Sequence, residues 1–200
     1  MKIVTLVGLL AILSSGCSHD SVGPALTPAP LTAAEKLADV NSLAQSLGVG
    51  LRLMTVMSNN VKPDGTCDLW QYQYVDTLMP PRAHWFHSTS LGVVYDSSSA
   101  LQVGTAVITG RWFNSDSAMI IAERNGGLGF RSANPRYTIA AALGQPVVPN
   151  ATTTWYVTYR STDDSSRLLL LAIDANSGVV TVIPLTTMAG RGQWRNAANE

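Results

Sequence analysis

Charge is scarce in this chain of 200 residues. Thirteen Lys and Arg balance 13 Asp and Glu, so 13% of residues are charged and the formal net charge is zero. An average soluble domain carries about 25%. Without a basic excess there is no face to neutralise phosphates, which excludes a nucleic-acid binder. Cysteine is scarce too, with Cys17 and Cys67 alone. The apolar N-terminal run, residues 3–13, falls short of a membrane span: it would rise about 16 Å as a helix, against a hydrocarbon core of ~30 Å. Catalytic signatures are missing as well. No serine sits in a Gly-x-Ser-x-Gly elbow, and Asp163, Asp164 and Asp174 lack the spacing of a calcium loop. The hydrophobic fraction of 46% excludes a mostly disordered chain, and the length fits one domain or two small ones.

What is present begins with an address. Lys2 precedes the uncharged run, and small residues follow it, the pattern of a cleavable export signal over residues 1–16. Its end, Leu13-Ser14-Ser15-Gly16-Cys17, resembles the lipobox of bacterial lipoproteins, with Ser14 where the commonest lipoboxes carry Leu. The resemblance implies that the chain is cut before Cys17 and that Cys17 is acylated and holds the protein to a membrane. Because Ser18 is not Asp, it also implies the outer membrane in a cell with two. The alternative is an ordinary secretory signal cut near Gly16, with Cys17 left as a thiol. Acylation of Cys17 leaves Cys67 single, so no internal disulfide is expected. Residues 17–31, with Pro24, Pro28 and Pro30, read as a flexible tether. Residues 186–200, small and polar around Trp194, read as a loose tail.

Between them the chain repeats an order. Thr32 and Glu35 form a capping box, and Ala33, Leu37, Val40, Ala44 and Leu47 recur at helical spacing up to Gly48. Val49, Leu51 and Leu53 alternate as strands do. Asp64-Gly65 is a turn signal, and Trp70, Tyr72 and Tyr74 form one face of a half-buried strand. Strands are then expected from about His84 to Thr89 and, past Gly92, over Val93-Val94-Tyr95. In the second half Ser115 is read as the cap of a helix through Ala118, Ile121 and Ala122 that ends at Gly126-Gly127. A strand near residues 137–142 follows. Trp155, Val157 and Tyr159 then alternate like the first aromatic strand, and Asp163-Asp164-Ser165-Ser166 is a turn. Residues 167–173 are almost wholly apolar, which predicts burial on both faces. Asp174 and Gly178 build the next turn, Asp174 by capping and Gly178 by a positive φ, into a strand over residues 179–183. Residues 103–109 add a possible joining strand. The expected class is α+β: two helix-then-antiparallel-sheet units, residues 32–100 and 101–185.

The second unit resembles a PepSY domain on Ala118 and Ala122 of the helix, Tyr156-Val157 of the strand, and Ile173-Asp174-Ala175-Asn176-Ser177-Gly178-Val179-Val180, with Ser177 in place of the usual Thr. The first unit shares only Leu91-Gly92-Val93-Val94. PepSY domains occur in propeptides that help fold and inhibit thermolysin-type peptidases, and in many secreted or anchored proteins. They carry no catalytic residues, so the resemblance implies binding rather than chemistry.

Few side chains could act. Cys67 with His84 or His87 would make a thiol and base, but no local signature supports it, and a small apolar packing role is expected. His84 and His87 lie three apart, so on a strand they face opposite ways and share no ion; with His19 in the tether, no metal or cofactor is expected. Alternating aromatics read as the core side of the sheet. Trp85 and Trp112 stand outside that alternation and are the candidate binding residues. The functional expectation is therefore a non-enzymatic, lipid-anchored protein of the cell envelope. It binds a protein partner, in its most concrete form by inhibiting or chaperoning an exported peptidase. Alternatives are an envelope protein with no dedicated client and a Cys/His enzyme.

Overall fold

The computed structural model describes residues 29–184 apart from 48–49, 77, 79, 102–104 and 149. The export signal, Cys17, His19, most of the tether, Gly48, Val49, the tail and Trp194 lie outside the described residues. In chain order the elements are α1 (Leu37–Ser46), β1 (Arg52–Ser58), β2 (Trp70–Val75), β3 (Arg82–Thr89), β4 (Gly92–Ala100), β5 (Thr105–Ala106), α2 (Ser115–Ala122), a wide π-type turn (Glu123–Gly127), α3 (Leu128–Ala133), β6 (Tyr137–Pro146), β7 (Thr154–Ser161), β8 (Leu168–Asp174) and β9 (Val180–Val182). The protein is α+β. Its strands form one antiparallel sheet in the order β4-β3-β2-β1-β6-β7-β8-β9, with β5 beside β6.

That order reads outward from its centre. β1 to β4 meander one way, β6 to β9 the other, and β1 pairs with β6 in the middle, Val56 opposite Leu143. The two halves therefore meet edge to edge inside a single sheet. Side-chain alternation divides that sheet into two faces. Tyr95, Phe86, Tyr72, Val56, Leu143, Trp155, Ile173 and Val180 form one cross-strand row. Six of these eight, from Phe86 to Ile173, are fully buried. Val40 and Ala44 of α1 and Ala118, Met119 and Ala122 of α2 join the same core cluster, so both helices cover one face. Each large side chain buried there contributes roughly 1.5–3 kcal/mol.

Several sequence expectations need correction. The α-helix begins at Leu37, because residues 33–36 form a turn; Glu35 accepts the Thr32 N–H, the one arm of the expected capping box that forms. Ala33, Val40 and Ala44 are buried as the stripe predicts, whereas Leu47 at its end is exposed. The cap of α2 is Asn114, whose Oδ1 accepts the Ser115 N–H at 2.8 Å. Ser115, read as that cap, is the first helical residue and is fully buried. Gly126-Gly127 does not end the helix. Gly126 takes φ +116°, the chain turns, and α3 resumes at Leu128. β4 runs well past Tyr95, through the serines to Ala100, and β6 reaches Pro146. The joining strand is only Thr105–Ala106. β8 is buried on both faces only in part: Leu171 and Ile173 are inside, and on the other face Leu170 is buried while Leu168 and Ala172 are half-exposed. Leu31, last residue of the expected tether, is buried and pairs with Cys67, so it belongs to the folded part.

Candidate functional site

The second face of the sheet carries no described helix, and Trp85 lies on it. Two cross-strand rows define it. Ser97, Trp85, Gln73, Thr55, Gly144, Thr154 and Asp174 form one. Val94, His87, Gln71, Met57, Ala142, Tyr156, Ala172 and Thr181 form the next. The sequence places them there through period-two alternation: Gln71 and Gln73 interleave the buried Trp70, Tyr72 and Tyr74, and Tyr156 interleaves Trp155 and Val157. Trp85 and Tyr156 are half-exposed. The rows carry amides, hydroxyls, small residues, Val94, Met57 and two large aromatics. Besides the Tyr156 phenol, the ionisable groups in these rows are His87, bonded through Nδ1 to Asp96 at 2.6 Å, and Asp174.

Asp174 ends one row at the turn into β9. Its Oδ1 accepts the backbone N–H of Asn176 at 3.0 Å and of Ser177 at 2.7 Å, and Gly178 closes the turn at φ +77°. The Thr152 hydroxyl and these backbone N–H groups hold the Asp174 carboxyl well below the usual carboxylate range, because each favours the charged form. Beside this turn a cleft of about 380 Å³ is lined by Thr109, Arg111, Gln145, Thr152 and Asn176 among others. A smaller one of about 240 Å³ lies between Ser58, Asn59, Asn60, Asp68, Leu69 and Gln71. Both are open, and most of the residues lining them are polar.

Trp112, the other expected binding residue, is placed differently. It is half-buried and packs edge-on against Trp155, ring centroids 6.1 Å apart. Trp155 in turn meets Trp70 edge-on at 6.2 Å. Trp70 and Trp155 are fully buried, and Trp112 packs onto them from the margin of the core rather than standing on the open face. The periodicity argument isolated Trp112 because it lies on no strand, and an off-strand aromatic can fill a core as readily as it can bind.

Cys67 and the histidines are not brought together in any described contact. Cys67 is buried, its thiol donates to Leu69 O at 2.9 Å, and burial pushes its pKa up, which disfavours the reactive thiolate. His84 faces the helix-covered side. Its Nε2 lies 3.3 Å from Asp76 Oδ2, and its Nδ1 lies 3.5 Å from the Tyr95 hydroxyl. Asp76 also accepts the Arg82 N–H at 2.9 Å, and that bond holds its carboxyl below the usual range. The chain Asp76–His84–Tyr95 is an acid, an imidazole and a hydroxyl in line, but neither described cleft is lined by any of them. No three His, Cys, Asp or Glu side chains gather as metal ligands among the described residues.

Sequence reasoning missed two polar clusters. In one, the buried Ser115 hydroxyl donates to Gly65 O at 2.7 Å and accepts the Ala33 N–H at 3.0 Å, while Asn114 accepts the Ala34 N–H and donates to Thr32 Oγ1. It ties the start of α2 to the first half. In the other, Arg131 binds Glu123 through Nε and Nη2, the shorter contact 2.7 Å, and the Tyr159 hydroxyl donates to Glu123 at 2.9 Å. This clamp closes the wide turn between α2 and α3. A Glu eight residues before an Arg carries no signal until the π-type turn is known. No described helix is long and apolar enough to cross a membrane. Comparison of the chain with known protein families, curated proteins and solved structures finds no match.

Proposed function

We propose that the protein is a non-enzymatic, lipid-anchored component of the cell envelope that binds a protein partner on the open face of its sheet. The single observation carrying this reading is the face itself. Both helices cover the other side, while Trp85 and Tyr156 stand half-exposed among Gln71, Gln73, Met57 and Thr154. Half-exposed aromatics among uncharged amides and hydroxyls are the composition of protein interfaces, which are depleted in charge and enriched in Trp, Tyr and Met. Anchoring through Cys17 rests on the lipobox resemblance, and outer-membrane sorting on Ser18.

The two halves are further read as PepSY-like repeats, α1 with β1–β4 and α2–α3 with β6–β9. Three correspondences support this. The strand order is the same in each half, reading outward from the middle. Trp70 and Trp155 each donate an indole N–H to a backbone carbonyl, Leu31 and Phe113, just before Thr32 and Asn114. Tyr74 donates to Asn41 of α1, and Tyr159 donates to Glu123, the residue after α2. With the PepSY resemblance, the partner of choice is an exported peptidase that the protein inhibits or chaperones.

The test is capture from the native envelope with wild-type chain and with Trp85→Ala, bait and partners identified by mass spectrometry. The reading expects one exported peptidase at near-equal amount with the wild type, at least about tenfold less with Trp85→Ala, and an acylated Cys17 peptide. Equal recovery with both baits would discard the open face. No enriched partner beside an acylated Cys17 would leave an envelope role without a client.

A further inference from the structure

The two outer strands of the sheet are managed differently. β9 is three residues long, and Pro184 follows two residues after its end. Short edges and proline are the usual protections against pairing with another chain. β4 has neither of these, and its one irregularity is a bulge at Asp96. It runs nine residues, Gly-Val-Val-Tyr-Asp-Ser-Ser-Ser-Ala, without Lys, Arg or Pro, and no described strand pairs with its outer side. We propose that β4 is a self-pairing edge, joining antiparallel to β4 of a second copy about a twofold axis between Asp96 and Ser97. This goes beyond the partner-binding reading and does not depend on it, since it uses the edge of the sheet and not its open face.

The pairing with β3 settles which groups are available. The two-residue turn Ser90–Leu91 makes Thr89 and Gly92 a mutually hydrogen-bonded pair, and bonded and non-bonded pairs then alternate along the ladder. Ser88–Val93 and Phe86–Tyr95 are therefore non-bonded pairs. The register shift at Trp85/Phe86 inserts Asp96 as an extra residue. Past it, His84–Ser98 and Arg82–Ala100 are the non-bonded pairs, with the bond from Leu101 N to Pro81 O keeping the phase. Residues non-bonded on the β3 side turn their N–H and C=O outward, so Val93, Tyr95, Ser98 and Ala100 present the free edge.

A twofold axis between Asp96 and Ser97 places Val93 opposite Ala100 of the second copy and Tyr95 opposite Ser98, matching all four outward residues. It also places Val94 opposite Ser99. The faces agree. Val94 and Ser99 pair with His87 and Ala83 of the open face, while Tyr95 and Ser98 pair with Phe86 and His84 of the covered one. Slipping the register by one residue would oppose open-face to covered-face side chains, and slipping by two would shorten the ladder. The bulge at Asp96 is what makes this register consistent. Bulk is complementary too, because the large half of the strand, Val93 to Tyr95, lies along the small half, Ser98 to Ala100. Asp96 faces Ser97 of the second copy and keeps its carboxylate on its own His87. Ser98 O already accepts Arg82 Nη2 at 3.2 Å, and a carbonyl has a second lone pair for the incoming N–H.

Val94 and Ser99 are both exposed, so they can be changed without touching the core. Sedimentation of the purified chain in detergent should show a dimer for the wild type. Val94→Lys with Ser99→Lys puts like charges opposite each other at two symmetry-related positions, and should raise the dimer dissociation constant about tenfold or more. Val94→Lys with Ser99→Glu puts opposite charges there and should restore the dimer. Circular dichroism of all three should be the same. A monomeric wild type, or a double-lysine variant that dimerises as well as the wild type, would overturn the proposal. Failure of Lys/Glu to recover what Lys/Lys lost would overturn the register.

Discussion

At the scale of single residues, Gly65 carries a constraint that its turn alone does not explain. It sits at φ +85°, and a Cβ there would lie 2.4 Å from the Cα of Asp116, in the backbone of α2. Its carbonyl accepts the Ser115 hydroxyl, so the turn is pressed against the helix start. Gly65→Ala should cost about 2–4 kcal/mol, combining backbone strain with an overpacked contact that backbone cannot relieve. Gly110→Ala, at φ +83° with nothing within 4 Å, should cost only about 1 kcal/mol. Urea denaturation of the two variants checks the difference; equal losses would mean the approach to Asp116 is immaterial. Asp174 supplies a pH dependence. Its carboxyl is held below the usual range in the folded chain, so its contribution is present above about pH 4 and is lost as pH falls through the lowered folded value. Asp174→Asn keeps an acceptor for the Asn176 and Ser177 N–H groups but loses the charge. Its melting temperature should fall less steeply than the wild type's between about pH 5 and pH 2, as calorimetry at stepped pH would show.

At the scale of elements, the two aromatic strands look alike and are predicted to respond unequally. Trp70 and Trp155 are both fully buried, and each donates its indole N–H to a backbone carbonyl. Leu31 O, the acceptor of Trp70, also receives the Cys67 N–H at 3.0 Å. Among the described residues, Phe113 O accepts from the Trp155 indole alone. Trp155→Phe should therefore cost about 1–3 kcal/mol more than Trp70→Phe, since it alone leaves a part-buried carbonyl unpaired. The double variant should be less damaging than the sum by about 0.5–1.5 kcal/mol, because the rings touch. Chemical denaturation of the three variants measures both quantities. These strands were legible in the sequence because alternation is a local signal: Trp70, Tyr72, Tyr74 and Trp155, Val157, Tyr159 declare a buried face wherever they are placed. The helix starts were less legible. Thr32 and Ser115 have the right residue types for caps, yet each bonds to groups 50 or 82 residues away, and no local pattern encodes such partners. The serines after Asp96 offer no alternation, and they extend β4 because β3 is there to pair with. Trp85 was singled out by its place off the aromatic pattern, which is what the open face requires. Trp112 met the same criterion and is half-buried against Trp155.

At the scale of the whole molecule, the question is whether the two halves of the sheet fold apart. Three features bind them into one cooperative unit. Thr55 to Ser58 of β1 pair with Ala141 to Gly144 of β6 at the centre of the sheet. One core cluster contains Val40, Trp70 and Phe86 from the first half and Met119, Trp155 and Ile173 from the second. Thr32, Gly65, Asn114 and Ser115 share one hydrogen-bonded knot. A half removed from the other would bare the edges of β1 and β6 and half of that cluster, a loss no 75-residue unit could absorb against its chain entropy. Cys67 reports on this directly, since its thiol is buried in the first half. Ile173→Ala deletes a fully buried side chain of the second half and should cost about 2–5 kcal/mol. If the molecule is one unit, the urea midpoint for labelling of Cys67 shifts down by the same amount as the midpoint for loss of β-sheet circular dichroism. Both then remain single transitions. Should Cys67 stay protected at urea concentrations where Ile173→Ala has already lost part of its dichroism, the halves unfold separately, and the shared core and central pairing would contribute less than the contacts inside each half.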